Sequence, residues 1–531
     1  MSTRREFLLA SAAALAASSA SSKPSGKSLV GLVHSSHSKL RKPVSTDNPL
    51  DYELVRDMVW KAIGYGKPNA GSLEAKIKPG SWVVMKVNYC FLPGQAMYRT
   101  GDVTDIRVWR AVMEYVARFS KAKRITLAEG GSYRRLQDPK NDRNVVMQKG
   151  QRVDLTNVDW GTDDYPGVGG TFTGILDDMR KQFPNKQFEH VDLAYDVVRN
   201  AAGEMQAFPV PVRNGVGSFS RKQEYFITNT VKNCDFLISV PVAKVHENCG
   251  VTCCFKNYVG TGPRIAYGEA QMTNSGLHNE HSVDTRIDPF IGDLSTFHPP
   301  DYNVVDVIRG LQTTEHSNRQ PDQMIRSNIV LAGEDPVAVD SIADKLLGFK
   351  AEDIDYLHMA VARGIGTYDP KRVEVVGDEP DRFAHKFAKP RTWYARANRE
   401  WKVTGDPSAD VRNWKHQTSF GDMLDLVTAA GGDAPAYAAT ATVKSDGARK
   451  GFLWVGLTGN GTVELNGRQI MKEEGLTRFR TGQFQQAVEL NPGENQFVFR
   501  VQPASGKAAL SALLVGQDNN GDSLEGATWS A

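Results

Sequence analysis

The passage from "SWVVMKVN" through "TDIRVWRAVMEYVARFS" to "KRITLAEGG", residues 81 to 131, constrains the fold more than any other part of the chain. Its first run is short and valine-rich, the composition of a strand buried on both faces. Ile106, Trp109, Val112, Met113, Val116 and Phe119 then recur at helical spacing, with Thr104 placed as the N-cap. A second apolar run follows. Strand, helix and strand at this separation form a crossover unit, which joins parallel neighbours in one sheet. The runs "KSLVGLVHS", "DFLISVPV", "YNVVDVI", "NIVLAGEDPVAVDSIADKLLGF" and "RVEVVGDEP" extend the pattern, so the expected class is α/β with a mostly parallel sheet over residues 28–378.

At 531 residues the chain exceeds one ordinary core. Residues 135–225 are polar and rich in Gly, Pro and Asp, and read as an inserted segment with a helix over 172–182. Residues 379–437 contain Trp393, Trp401 and Trp414 and a predicted helix over 419–430, the pattern of a packed extension. From 438 to 531 the period changes to short alternating strands, with a two-residue hairpin turn at Asn466-Gly467. This part reads as a small all-β sandwich.

The N-terminus, "STRREFLLASAAALAASSASS", places Arg4 and Arg5 before an apolar run too short to span a bilayer, then Ser18 and Ala20 at cleavage positions. It resembles a twin-arginine export signal over residues 1–22. That resemblance implies the twin-arginine translocation machinery as a partner and a periplasmic or extracellular location. The same route carries folded proteins, often loaded with a cofactor. No later run of about 18 apolar residues occurs, so no transmembrane helix is expected in the mature chain. Lys and Arg total 64 against 61 Asp and Glu, a net charge of +3 with no basic stripe, which argues against nucleic acid as a partner.

In open parallel sheets ligands bind beyond the carboxyl ends of the strands. The residues that follow the apolar runs are Lys86 and Asn88, Glu129, Lys244 and His246, Asp306, and Glu334 and Asp335. Asp335 before Pro336 reads as a helix N-cap. His246 suits an acid, base or metal-ligand role near neutral pH, and Lys86, Glu129 and Asp306 complete the catalytic candidates. Asn88, Lys244, Thr252, Lys256 and Asn257 are candidate ligand-binding residues, because a lysine beside an opened helical turn forms an anion site. Candidate metal ligands are His246 with His278 and His281 of "GLHNEHS". Cys249, Cys253 and Cys254 fit neither iron–sulfur nor zinc-knuckle spacing, so an intrinsic iron–sulfur cluster is not expected. They read as small buried hydrophobes. "DNNGDSLEG" near the end carries a calcium-loop pattern with Ser523 where glycine is wanted.

Taken in order, "VVMKVN", "TDIRVWRAVMEYV", "RITLAEG", "CDFLISVPVAKVHENCGVTCCFKNYVG", "YNVVDVIRG" and "VLAGEDPVAVDSIADKLLGF" resemble a family known as domain of unknown function 362. His246, Lys256 and Asn257 belong to the pattern of that resemblance, whereas the three cysteines stand outside it. Some members carry a ferredoxin-like module, which this chain lacks. "VELNGRQI" and "LNPGENQFVFRV" resemble the small sandwiches attached to secreted carbohydrate-active enzymes, which implies a glycan as a further partner. The expected function is that of an exported enzyme acting on an anionic or carbonyl-bearing small molecule. A cofactor- or metal-dependent oxidoreductase is the first class considered, and a metal-assisted hydrolase or lyase the second. The alternative is an extracytoplasmic protein that binds an anion or glycan without turnover.

Overall fold

The computed structural model describes residues 26–36, 52–69, 71–89, 101–130, 145–148, 151–154, 172–194, 196–220, 222–267, 287–315, 323–419 and 421–530. The export signal, His278 and His281 lie outside them. The α/β unit runs through β1 (Ser28–His34), α1 (Tyr52–Tyr65), β2 (Trp82–Val87), α2 (Ile106–Phe119), β3 (Arg124–Glu129), α3 (Phe172–Gln182) and β4 (Gln187–Asp192). It continues with β5 (Phe236–Val240), β6 (Lys244–His246), β7 (Gly250–Thr252), α4 (Asp288–Phe297), β8 (Tyr302–Leu311), β9 (Met324–Gly333), α5 (Pro336–Leu347), α6 (Asp355–Ala362) and β10 (Val373–Gly377).

Eight of these strands form one sheet in the order β10-β1-β9-β8-β5-β2-β3-β4. The pairs β8–β5, β5–β2, β2–β3, β3–β4 and β1–β10 are parallel, while β9 runs antiparallel to both neighbours. Side chains alternate between two cores, as strands require. Val83, Met85 and Val87 face the cluster shared with α1 and α2, whereas Val84 faces the cluster shared with α4 and α5. The polar middle segment is only partly an insertion, because its residues 187–192 supply the edge strand β4.

One local expectation changes. Asp105, not Thr104, caps α2 by accepting the Arg107 N–H; Thr104 Oγ1 instead donates to Val240 O and accepts the Asn88 N–H, tying β2 to β5. Lys244–His246 and Gly250–Thr252 pair as a hairpin before a 3-10 turn, Lys256–Thr261.

The C-terminal unit is antiparallel and comprises β11 (Glu400–Thr404), β12 (Lys415–Thr418), β13 (Tyr437–Ser445), β14 (Arg449–Leu465), β15 (Arg468–Leu476), β16 (Phe484–Leu490), β17 (Gly493–Gln502), β18 (Ala509–Val515) and β19 (Ala527–Ser530). Strand β14 is long enough to pair with β16 and β18 through its first half and with β15 and β17 through its second. The sheet therefore curls over its own core. The turn at Asn466-Gly467 joins β14 to β15 as expected.

Strands reach back before residue 438, since β11 pairs with β13 and carries Trp401 into the sandwich core. Trp393 joins the α/β core instead. The helix expected over 419–430 shortens to Leu426–Ala430, because Asp425 caps it and Asp422 is drawn to Arg399 and Tyr394. Among the described residues no helix is long and apolar enough to cross a membrane.

Arg399 joins the units by pairing in the interior with Asp355 of α6 and with Asp422, the latter at 2.9 Å. Removing one member of a buried ionic group leaves uncompensated charge. Arg399→Ala should therefore destabilise the protein by about 3–5 kcal/mol, read as a lower urea midpoint by tryptophan fluorescence.

Candidate functional site

Lys86 leaves the buried face of β2 on the side away from α1 and α2, where an ammonium needs partners. It donates to Glu129 Oε1 at 3.0 Å, Asn257 Oδ1 at 2.9 Å and Val87 O at 2.6 Å. Asn257 returns the interaction, donating to Lys86 O at 2.8 Å and to Ser239 Oγ of β5 at 3.1 Å. Glu129 in turn accepts the backbone N–H groups of Tyr89 and Gly130. Lys86, Glu129, Ser239 and Asn257 are all buried. The result is a closed polar knot that fastens the 3-10 turn onto the carboxyl ends of β2, β3 and β5. Glycine is needed at Gly260, where a Cβ would stand 2.7 Å from Glu129 Oε1 and 2.8 Å from Lys86 Nζ.

A second buried group centres on Asp105, which takes Arg107 and Arg309 at 2.6 Å each. Burial alone would raise its carboxyl, but the two guanidinium groups outweigh this and hold it down to about 2. Asp306 lies beside it on β8 and accepts the Asp105 N–H at 2.7 Å and the Ile308 N–H at 2.9 Å. Burial, reinforced by the Asp105 charge, pushes Asp306 up to about 7. Neighbouring carboxyls driven apart in this way divide into a permanent anion and a proton donor.

The hairpin brings up the third group. Lys244 donates to Asp102 O at 2.6 Å and Glu315 O at 2.8 Å, so its expected ligand role is filled by backbone carbonyls. His246 Nδ1 accepts the Asn248 N–H at 3.1 Å, and its Nε2 lies 3.9 Å from Glu315 Oε1. A neutral imidazole that accepts at Nδ1 carries its proton on Nε2. That edge of His246 faces Glu315 from beyond hydrogen-bond reach. Thr252 Oγ1 is buried with no hydrogen-bond partner among the described residues. Lys256 is only 5% exposed and has no hydrogen-bond or ion-pair partner there.

Lys86, Glu129 and Asn257 thus meet directly, Asp306 joins the Asp105 group, and His246 pairs with Glu315. Asn88 enters through its backbone, linked to Thr104 in both directions. Glu334 and Asp335 fall at the opposite edge, because β9 is antiparallel and its Gly333 stands level with Asn303 at the start of β8. There Glu334 meets Lys76 at 2.9 Å and Asp335 caps α5 by accepting from Val337 and Ala338. The calcium-loop residue Asp522 is engaged by Lys389 and by Trp393 Nε1. Sequence reasoning overlooked Asp105, Arg107, Arg309 and Glu315. The signal for Asp105 and Arg107 was a charged pair at the start of an otherwise buried helix.

Residues 176–344 match the family model described as Domain of unknown function (DUF362). That stretch, under half of the chain, lies inside the α/β unit and takes in part of the motifs that carry the resemblance. The match takes in Lys244, His246, Lys256, Asn257 and Asp306, and leaves Lys86, Asn88 and Glu129 on the N-terminal side. Among curated proteins none matches this chain. Similar solved structures include the lactate racemase apoprotein from Thermoanaerobacterium thermosaccharolyticum, at 11% identity over 53% of this chain and 52% of that one, with a TM-score of 0.27. A beta-glucosidase from Kluyveromyces marxianus in complex with glucose matches at 15% identity over 23% of this chain, with a TM-score of 0.18. The chain spans only 16% of that enzyme's length. A family 35 carbohydrate binding module from an environmental isolate matches at 18% identity over 19% of this chain and 77% of that one, with a TM-score of 0.15.

The buried charges of the α/β unit lead to two predictions. Lys86→Ala strands Glu129 inside the knot and should cost about 3–5 kcal/mol, measured by chemical denaturation. For Asp306 the pH dependence has a definite sign. An unfolded aspartate titrates near about 3.9, whereas the folded group keeps its proton up to about 7. The folded state thus binds more protons between those values, and stability falls as pH rises through them. Asp105 acts oppositely, since its ion pairs hold above the unfolded value and are lost as pH falls towards about 2. Melts from mildly acidic to mildly alkaline pH should show Asp306→Asn gaining on the natural protein as pH rises.

Proposed function

We propose that the chain is an exported enzyme that moves a proton on an anionic or carbonyl-bearing small molecule near the carboxyl ends of β2, β3 and β5. The observation that carries this reading is Lys256, a lysine only 5% exposed with no counter-ion among the described residues. Such a charge is costly alone and becomes favourable when a ligand anion meets it. Asn257, its neighbour in sequence, is locked to Lys86, so the turn bearing Lys256 is pre-organised.

His246 supports turnover over simple capture. With Nδ1 occupied and the proton on Nε2, it is fitted to polarise a carbonyl or protonate a developing oxyanion as a neutral imidazole. Asp306, which keeps its proton to about 7, is the second acid or base in this reading. Oxidation–reduction with a cofactor loaded before export is a variant of the same proposal. An absorption spectrum of the full chain as purified tests it.

Lys256 alone would equally suit an exported anion-binding protein, and His246 discriminates. Inorganic phosphate and a series of short hydroxy- and oxo-carboxylates serve as probes, followed by calorimetry and by exchange of carbon-bound hydrogen in deuterated water. Lys256→Ala should lose about tenfold in affinity. His246→Gln should keep affinity within a few fold and lose exchange. If no probe exchanges hydrogen and His246→Gln lowers affinity only, the enzyme reading gives way to the binding protein.

A further inference from the structure

Between β7 and the 3-10 turn the chain passes Cys253 and Cys254, both fully buried and facing α5. The two sulfur atoms and a carboxylate oxygen of Asp340 all lie within 4.8 Å of one another. Asp340 also accepts the Cys254 N–H at 2.8 Å and the Phe255 N–H at 3.2 Å. That backbone role accounts for Asp340 alone.

Asp344 lies one helical turn further along α5, where residues four apart share a face, and its carboxylate stands outside that 4.8 Å group. It is fully buried, and neither of its carboxylate oxygens has a hydrogen-bond partner among the described residues. Burial, then the Asp340 charge, pushes its carboxyl well above the usual range. Asp344 acts on the thiols as well. Burial pushes the Cys253 thiol up to about 12, and the Asp340 and Asp344 charges add to the rise. Two thiols and two carboxyls thus share a sealed apolar space with Tyr356, whose hydroxyl is committed to Val251 O at 3.0 Å. Lys389, the cation that acts on Asp344, is itself paired with Asp522.

We propose that Cys253, Cys254 and Asp340, with Asp344 turning in from one helical turn away as the fourth donor, form a structural site for a zinc-type divalent cation that pins the 3-10 turn to α5. Two thiolates and two carboxylates give four donors of the mixed softness and tetrahedral number that suit zinc over magnesium or calcium. The N–H groups that Asp340 accepts become the outer shell usual for a ligating carboxylate. Thiolate ligation replaces the two S–H bonds with metal–sulfur bonds and releases the two thiol protons to solvent. Because all four donors are buried, the ion enters as the chain folds and afterwards resists chelators.

The test uses the full chain, refolded from denaturant with one equivalent of zinc or cobalt. Metal content is read by mass spectrometry, and cobalt also by absorption. The expected result is one metal per chain, tetrahedral cobalt bands and a sulfur-to-cobalt charge-transfer band in the near ultraviolet. Cys253→Ser with Cys254→Ser should abolish that band. Asp344→Asn removes a charge while keeping the side chain's shape, and should lower metal retention in a chain of unchanged circular dichroism. The proposal is overturned if natural protein refolds without metal, if metal persists in the double cysteine variant, or if the thiols are found joined as a disulfide with loss of two hydrogens.

Discussion

The Lys86–Glu129–Asn257 knot is the interaction on which the rest of the α/β unit depends. Three parallel strands end side by side, and their last residues would otherwise expose backbone groups and a lysine to an apolar interior. The knot satisfies the ammonium with two side chains and one carbonyl, and draws down a turn that begins 16 residues after Val240 at Lys256. A hydrogen-bonded network of this kind is valuable only when every member is satisfied. The position of Lys256 is inherited from it.

The Asp105 group does for β8 what the knot does for β2 and β3. Arg309 crosses from β8 to the start of α2, next to a register shift between Val307 and Arg309. Bulges of this sort re-aim side chains beside functional sites. Asp306 thereby sits between a permanent anion and two backbone donors, which makes its proton responsive to whatever charge approaches.

Much of this was legible in the residues. Lys86, Glu129 and Asn257 could be found because polar groups directly after fully apolar strands must be satisfied or used. The direction of β9 was harder to read, since a strand's composition does not encode its polarity. The connection from Leu311 to Met324 is twelve residues, long enough for a crossover or for a hairpin loop, so its length left Glu334 and Asp335 in the crevice. Asp340 and Asp344 were hidden for another reason. Within "DPVAVDSIADKLLGF" they read as ordinary polar positions of an amphipathic helix, whereas α5 is buried on nearly all sides. Arg309 pairs with a residue 204 positions away, and no local pattern announces such a partner.

The extension after the α/β unit bears on how the molecule is completed. Gly250, with φ of +84°, leaves room at the tip of the β6–β7 hairpin for the Trp393 ring, which a Cβ there would strike. Trp393 is held from behind by Asp522, close to the end of the chain. The hairpin bearing His246 therefore waits on a residue synthesised more than 270 positions later. During translation the α/β unit can form its sheet, yet the His246 hairpin reaches its final packing only once the segment around Asp522 has been made.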